Sequence, residues 1–387
     1  MEIYDGKKEK RMMNEKEISE IRRRFRPEKS NISRIRGCYV NEQKEMISEF
    51  NQSLGLMSQD EAEGLLAILK KTLSGTIGQN LLDIEFTTQQ VLDSEEHRLL
   101  MALRDSRLED DNAVSAFYAR VIQSLTLDGS YLILLAHDTY DVFSYSKGGE
   151  READSSTVFS YILCSVCPVK LTKPALSYFA YENAFHNIAA NSIVGAPELG
   201  FLFPSFDDRA ANIYNALYYT RNLAENHKEF VDSVFQNPLP MPAAMQKETF
   251  QSIFNETVSE ECNYEVVQAV YEDLSDRIEE HKANKEETPL RISKNTLKNV
   301  LQSCGVEETR ITAFEEKYDA QFGADTEICP QNIMDTKQLE VKTADVTIKV
   351  NPERSDLVKT RIIDGTKYIL IRADDNVEVN GVNIHIV

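Results

Sequence analysis

Two apolar runs dominate the middle of the chain. Tyr-Leu-Ile-Leu-Leu-Ala (Tyr131 to Ala136) and Val-Phe-Ser-Tyr-Ile-Leu-Cys-Ser-Val-Cys (Val158 to Cys167) are short, rich in β-formers and bounded by polar turn residues. That pattern predicts two buried strands. The polar, glycine-containing stretch 144–157 between them predicts an exposed hairpin connection. Further strands are expected at Ile32 to Val40 and Met46 to Leu54, paired as a hairpin. Others are expected at Leu81 to Phe86, Leu176 to Phe179, Gly200 to Phe203 and Ile213 to Thr220. Helical spacing is clear in two places. Gln59 to Leu73 puts Ala62, Leu65, Leu66, Leu69 and Leu73 on one face, and Asp111 to Leu125 does so with Val114, Phe117, Tyr118, Val121, Ile122 and Leu125. Near the N-terminus, Asn14 with Glu17 three positions on forms a capping box for a short helix that Pro27 ends.

From Asn222 the period becomes helical. Phe230, Val231, Val234 and Phe235 mark one helix, Phe250, Ile253 and Phe254 a second, and Val267, Val270, Tyr271, Leu274 and Ile278 a third. The charged stretch 279–288 fits a linker or a solvated helix end. Short helices follow around Leu297 to Cys304 and Ile311 to Phe322, with Gly305 as the stop between them. The last stretch alternates apolar and polar residues at period two, with Asp364-Gly365 and Asn380-Gly381 in hairpin-turn positions. The fold class is therefore α+β (mixed): a mainly antiparallel sheet with flanking helices, a helical middle region and a small C-terminal β unit. The expected division is a basic arm and short helix over 1–30, a main domain over 31–222, a helical region over 223–325 and the β unit over 335–387.

Composition narrows the class. With 387 residues, 42% hydrophobic and 27% charged, the chain is globular and long enough for more than one core. It contains no run of 18 apolar residues and no apolar segment near its start, so no membrane partner and a cytoplasmic location are expected. Six cysteines are too few for a disulfide framework at this length and are read as reduced thiols. The net charge of −20 argues against a general nucleic-acid coat. The charge is uneven, however. Residues 1–36 hold twelve Lys and Arg against seven Asp and Glu, a net of +5, which leaves −25 on the other 351. Arg22, Arg23, Arg24, Arg26, Arg34 and Arg36 could dock this arm on nucleic acid, or on the acidic body of the same protein.

Chemistry concentrates where the first apolar run ends. His137, Asp138 and Asp141 offer metal ligands, or a base with its carboxylate. If the strand continues, His137 and Asp141 share a face with Thr139 while Asp138 points the other way. If a helix starts, Asp138 and Asp141 meet instead. Either way the set needs a further ligand, for which Asp207 and Asp208 are candidates with Arg209 as counter-ion. The plain alternative is that the two aspartates make turn hydrogen bonds and His137 finishes a strand. Cys164 and Cys167 form a Cys-x-x-Cys, but Pro168 to Pro174 does not start the helix that a redox pair needs. A structural zinc needs four ligands. Within a strand the two sulfurs face opposite ways, so buried apolar cysteines are expected. Lys70 to Gly78 supplies lysines and glycines, yet the glycines close a helix, where anions are disfavoured. The aromatics from Tyr178 to Tyr219 are expected as sheet core, with a stacking groove as the alternative. There is no dinucleotide or P-loop glycine motif, no zinc-protease His pair and no nucleophile elbow.

Several strings taken together resemble a bacterial family catalogued only as a domain of unknown function. They include Ile35-Arg-Gly-Cys-Tyr-Val40, Lys71-Thr-Leu-Ser-Gly-Thr-Ile-Gly78, Leu132 to Asp138, Tyr161-Ile-Leu-Cys164, Leu199-Gly-Phe-Leu-Phe-Pro204, Gln246-Lys-Glu-Thr-Phe250, Val350-Asn-Pro-Glu-Arg354 and Val377-Glu-Val-Asn-Gly-Val382. The resemblance runs from Met13 over nearly the whole chain, and it implies that residues 1–12 are an upstream extension or a mis-called start. It brings no activity, cofactor or catalytic residue. The function expected is a non-enzymatic binding or regulatory protein whose partner is a protein, a second copy included, or nucleic acid. Its rivals are a metal-assisted hydrolase using His137, Asp138 and Asp141, and a nucleic-acid-associated protein using the basic arm.

Overall fold

The computed structural model describes residues 13–145, 151–258, 264–284, 289–335, 338–373, 377–379 and 381–384. The chain divides into two compact units, one running to Pro242 and the other beginning at Ala243, with Glu287–Pro289 grouped with the first.

The first unit opens with α1 (Glu15–Arg22), whose capping box is formed. Glu17 N donates to Asn14 Oδ1 and Asn14 N to Glu17 Oε2, both at 3.0 Å. The hairpin β1 (Arg34–Val40) and β2 (Met46–Ser53) follows, then α2 (Gln59–Lys71) and β3 (Leu81–Glu85). Next come α3 (Thr88–Asp93), α4 (Glu95–Asp105), α5 (Asp111–Ser124), and the long strands β4 (Tyr131–Tyr145) and β5 (Arg151–Leu171). The rest of the unit is β6 (Ala175–Phe179), β7 (Ala184–Ile188), β8 (Ser192–Val194), β9 (Leu199–Phe203), β10 (Ser205–Asp207), β11 (Ala210–Asn212), β12 (Asn215–Thr220) and α6 (Lys228–Phe235).

Eight of these strands form one sheet in the order β2-β1-β4-β5-β9-β12-β3, with β8 on β5, while β6–β7 and β10–β11 are separate two-stranded hairpins; every ladder is antiparallel. Helices cover both faces. Ile133, Leu135, Cys164, Phe201 and Tyr218 pack under α4, α5 and α6, while Leu132, Leu134, Leu163, Cys167 and Leu202 pack under α1 and α2. That is why Tyr131 to Ala136 is apolar without alternation: both sides of the strand are core. Each such fully buried side chain contributes about 1.5–3 kcal/mol. It also places Cys164 and Cys167 in different cores, and burial pushes the Cys167 thiol up to about 12 and the Cys164 thiol well above its ordinary range.

Two expectations are corrected, and one helix, α4, has no counterpart among them. The stretch 144–157 is largely strand, since β4 reaches Tyr145 and β5 starts at Arg151, paired with each other there; 146–150 lie outside the described residues. The aromatic stretch splits. Phe201, Phe203, Phe206 and Tyr218 are core, whereas Tyr178, Phe179, Tyr181 and Phe185 are exposed on the β6–β7 hairpin. Helix α4 has no clear apolar period because its inward face carries Glu96 and His97. Both are buried with partners: Arg120 Nη1 to Glu96 Oε1 at 3.1 Å, and His97 Nε2 with Ile213 O at 2.8 Å.

The second unit holds α7 (Ala243–Val258), α8 (Tyr264–Asn284), α9 (Lys294–Ser303), α10 (Glu308–Phe322) and α11 (Pro330–Ile333) around a core that includes Phe250, Ile253, Val270, Leu274, Phe314 and Tyr318. The period-two residues at the end form three two-stranded hairpins: β13 (Leu339–Lys342) with β14 (Thr347–Val350), β15 (Val358–Ile363) with β16 (Thr366–Ile371), and β17 (Val377–Val379) with β18 (Val382–Ile384). Asp364 at φ 48° and Gly365 at φ 78° supply the two left-handed residues that a tight hairpin turn demands.

Glycine decides one packing contact. A Cβ on Gly200 in β9 would lie 2.2 Å from Cys164 O and 2.6 Å from Thr72 Cγ2. Gly200→Ala is expected to cost about 1–3 kcal/mol by overpacking, read as a lower urea midpoint at unchanged slope. Gly64→Ala is the converse. Gly64 lies on the exposed face of α2 with nothing near its Cβ position, so alanine there is expected to stabilise by about 0.5–1 kcal/mol in the same assay.

Candidate functional site

Strand β4 continues through Asp141, so the strand alternative for His137, Asp138 and Asp141 is realised. Asp138 points into one face and is 1% exposed. Five contacts hold it. Arg24 Nε donates to Oδ2 at 3.0 Å and Arg24 Nη2 to Oδ1 at 3.4 Å, Asn31 N and Thr139 N each donate to Oδ1 at 2.9 Å, and Tyr161 OH donates to Oδ2 at 2.8 Å. Burial and the adjacent Asp138 carboxylate push Tyr161 well above the ordinary tyrosine range, so it stays a donor. Arg24 also donates to Thr139 O at 3.0 Å and lies 4.7 Å from the centre of the Tyr140 ring. On this same side Tyr140 OH donates to Glu20, Arg209 Nη1 pairs with Glu20 Oε2 at 3.1 Å, and Asp208 N donates to Glu17 Oε1 at 2.9 Å. Asp138 and its neighbours thus fasten α1 to the sheet, and Asp207, Asp208 and Arg209 stay away from His137.

His137 and Thr139 emerge on the opposite face and line an open cleft of about 150 Å³. Arg34 and Arg36 from β1, Asn51 from β2, and Asn31 and Ser33 ahead of β1 line it too. Its remaining wall is the α4–α5 turn, Arg107, Leu108 and Glu109. Arg107 and Leu108 are successive left-handed residues at φ 54° and 62°, and the Leu108 side chain is buried in the core. That anchor turns Arg107 towards the cleft. Arg36 is buried and spoken for: Nη1 donates to Leu108 O at 3.0 Å and Asp111 Oδ1 at 2.6 Å, and Nη2 to Glu49 Oε1 at 3.2 Å. Arg34 and Arg107 are exposed, and among the described residues neither has a carboxylate at ion-pair distance.

His137 Nε2 shares a hydrogen bond with Ser160 Oγ at 2.8 Å. Burial depresses its pKa, and Arg107 and Arg104 add to this against the opposing pull of Asp138, so the ring is neutral at neutral pH. Among the described residues no three His, Cys, Asp or Glu side chains converge to hold a metal ion. Asp141 is exposed on the His137 face and does not line the cleft.

The cleft therefore unites His137 with Arg34 and Arg36, residues that sequence reasoning had assigned to separate groups. Arg22 is half-buried, Arg23 and Arg26 are exposed, and none of the three lines it. Sequence reasoning missed Asn31, Asn51, Arg107 and Ser160. Nothing in the local sequence singled out Arg107, because the helix that precedes its turn was not anticipated.

A three-layer unit with an antiparallel sheet between helices, carrying a guanidinium-lined cleft at the sheet's β1–β2 side, is the class of protein that this arrangement defines. The chain belongs to the family described as domain of unknown function (DUF4317), whose model matches residues 13–382. No curated protein matches it. No helix among the described residues is long and apolar enough to cross a membrane.

Two outcomes are expected. Asp138→Ala leaves Arg24 buried without its anion and should cost about 3–5 kcal/mol in urea unfolding, whereas Asp141→Ala should stay within about 0.5 kcal/mol. Because the folded state holds His137 neutral, its contribution is complete above the ordinary value of about 6.5 and is lost as pH falls from there through the lower folded value. Unfolding free energy should decline over that window, and His137→Asn should flatten part of the decline. The remainder belongs to His227, which burial also depresses.

Proposed function

We propose that this chain is a non-catalytic, cytoplasmic binding protein whose first unit recognises an anionic ligand in the His137 cleft. The observation that carries the reading is that Arg34 and Arg107, 73 positions apart in sequence, face one cleft with no carboxylate at ion-pair distance among the described residues. Unpaired guanidinium groups are strong, geometrically selective donors for oxyanions. Asn31, Asn51 and Ser33 add neutral donors beside them. The free state of the cysteines among the described residues is in keeping with a reducing compartment.

Binding is favoured over turnover by the surroundings of the His137–Ser160 pair. A serine nucleophile needs a base that a third group orients. The nearest carboxylate in sequence, Asp138, faces the other side and is occupied by Arg24, Asn31 and Tyr161.

The test is an anion-dependent rise in melting temperature of the full chain, run beside Arg34→Gln and Arg107→Gly. Both side chains are exposed, and glycine suits the left-handed backbone at 107, so both variants should fold. Stabilisation by multivalent oxyanions in the wild type, cut at least about tenfold in apparent affinity by either substitution, is expected. An undiminished response in both variants removes the cleft from the reading, and hydrolysis of a nitrophenyl ester that requires His137 removes its non-catalytic part.

A further inference from the structure

We infer that the ligand of the His137 cleft is a phosphate-type tetrahedral dianion, free or as the head of a small monoester, held between Arg34, Arg107 and Asn51 with His137 beside it. The inference rests on the reading of the cleft as an anion site. Three features of the cleft narrow the ligand class.

The first is the direction of the donors. Arg34 on β1, Asn51 on β2 and His137 on β4 stand side by side on neighbouring strands of one sheet, and Arg107 comes from the α4–α5 turn, so donors approach from two walls, the sheet and the turn. A planar carboxylate presents only an edge, whereas a tetrahedral anion has an oxygen for each wall. The second is size. A cavity of about 150 Å³ accommodates a ligand of about six heavy atoms, such as benzene. A phosphorus with its oxygens comes close to that, so any organic remainder of the ligand lies in solvent.

The third is charge. Arg36 lines the cleft but is offset by its ion pairs with Glu49 and Asp111. Arg34 and Arg107 then stand against one lining carboxylate, Glu109. With both partners of Arg36 counted, three carboxylates stand against three guanidinium groups, so an incoming dianion brings two unmatched negative charges, and His137 is a lining group able to offset one of them by taking up a proton. The charged groups around His137 are Asp138 and, further along the same face, Asp141 on its own strand, Arg104, Arg107 and Glu109 from α4 and the turn after it, and Arg34 and Arg36 on β1; Ser160 on β5 is its neutral partner. Burial, with Arg107 and Arg104 adding to it, keeps His137 neutral in the ligand-free site, and a dianion beside the ring pulls the other way.

Calorimetric titration of the full chain with sulfate, inorganic phosphate, phenyl phosphate and acetate, at about pH 6 and about pH 8, tests the assignment. Sulfate stays a dianion throughout, so its pH dependence reports the protein alone. Sulfate affinity should rise on acidification by up to about tenfold per pH unit, the limit for uptake of one proton, and this rise should vanish in His137→Asn. Acetate should bind at least about tenfold more weakly than phosphate. Phenyl phosphate at least as tight as inorganic phosphate assigns a monoester, and the reverse order a free ion; both support the dianion. Sulfate binding that ignores pH in the wild type, or acetate as tight as phosphate, overturns the dianion while leaving an anion cleft. No heat with any anion overturns the cleft itself.

Discussion

The buried carboxylate of Asp138 is the constraint on which the rest of the first unit depends. At 1% exposure an ionised carboxylate is tolerable only with a counter-ion and several donors, and the chain brings these from more than a hundred residues upstream. Arg24 follows α1, and Asn31 sits just ahead of β1. Satisfying Asp138 therefore docks the N-terminal helix on one face of the sheet and sets the entry of β1. Once Asp138 points inward, strand alternation forces His137 and Thr139 outward on the other face. Asn31 links the two sides directly: its backbone N–H binds Asp138, while its side chain donates to Thr139 O at 2.8 Å and lines the cleft.

The cleft is a local exception in an acidic molecule. A net charge of −20 repels anions at long range, so any anion the protein holds must be won at short range by directed donors. Arg36 shows how the site is braced. Its guanidinium closes onto Leu108 O, Asp111 and Glu49, joining β1, β2 and the start of α5 around the turn that carries Arg107. One arginine thus shapes the wall, and two others face the cleft with no carboxylate at ion-pair distance among the described residues.

An antiparallel sheet usually keeps one face wet and shows alternating residues. Here helices cover both faces, which turns β4 and β5 into near-continuous apolar runs and leaves room for Gly200 alone where β9 meets Cys164 and Thr72. The same double burial explains the inert Cys-x-x-Cys. Its two sulfurs lie in separate cores, and burial keeps both protonated.

The sequence by itself determined the elements whose signals are local: the capping box at Asn14, the amphipathic helices α2 and α5, the apolar centres of β4 and β5, and the Asp364-Gly365 hairpin. Each rests on period, cap or turn chemistry that neighbouring residues carry. It did not reveal α4, whose inward face mixes Leu100 and Leu103 with Glu96 and His97, the last two partnered by Arg120 and by the carbonyl of Ile213. Nor could it show that the strands outrun their apolar cores, or that the aromatic stretch divides between core and an exposed hairpin. The candidate site was half legible. His137, Arg34 and Arg36 were visible as chemistry-bearing residues, but in separate groups, and Arg107 carried no signal of its own. Tertiary structure alone joined them, because sheet pairing brings β1 beside β4 and a left-handed turn anchored by Leu108 delivers an arginine from between two helices.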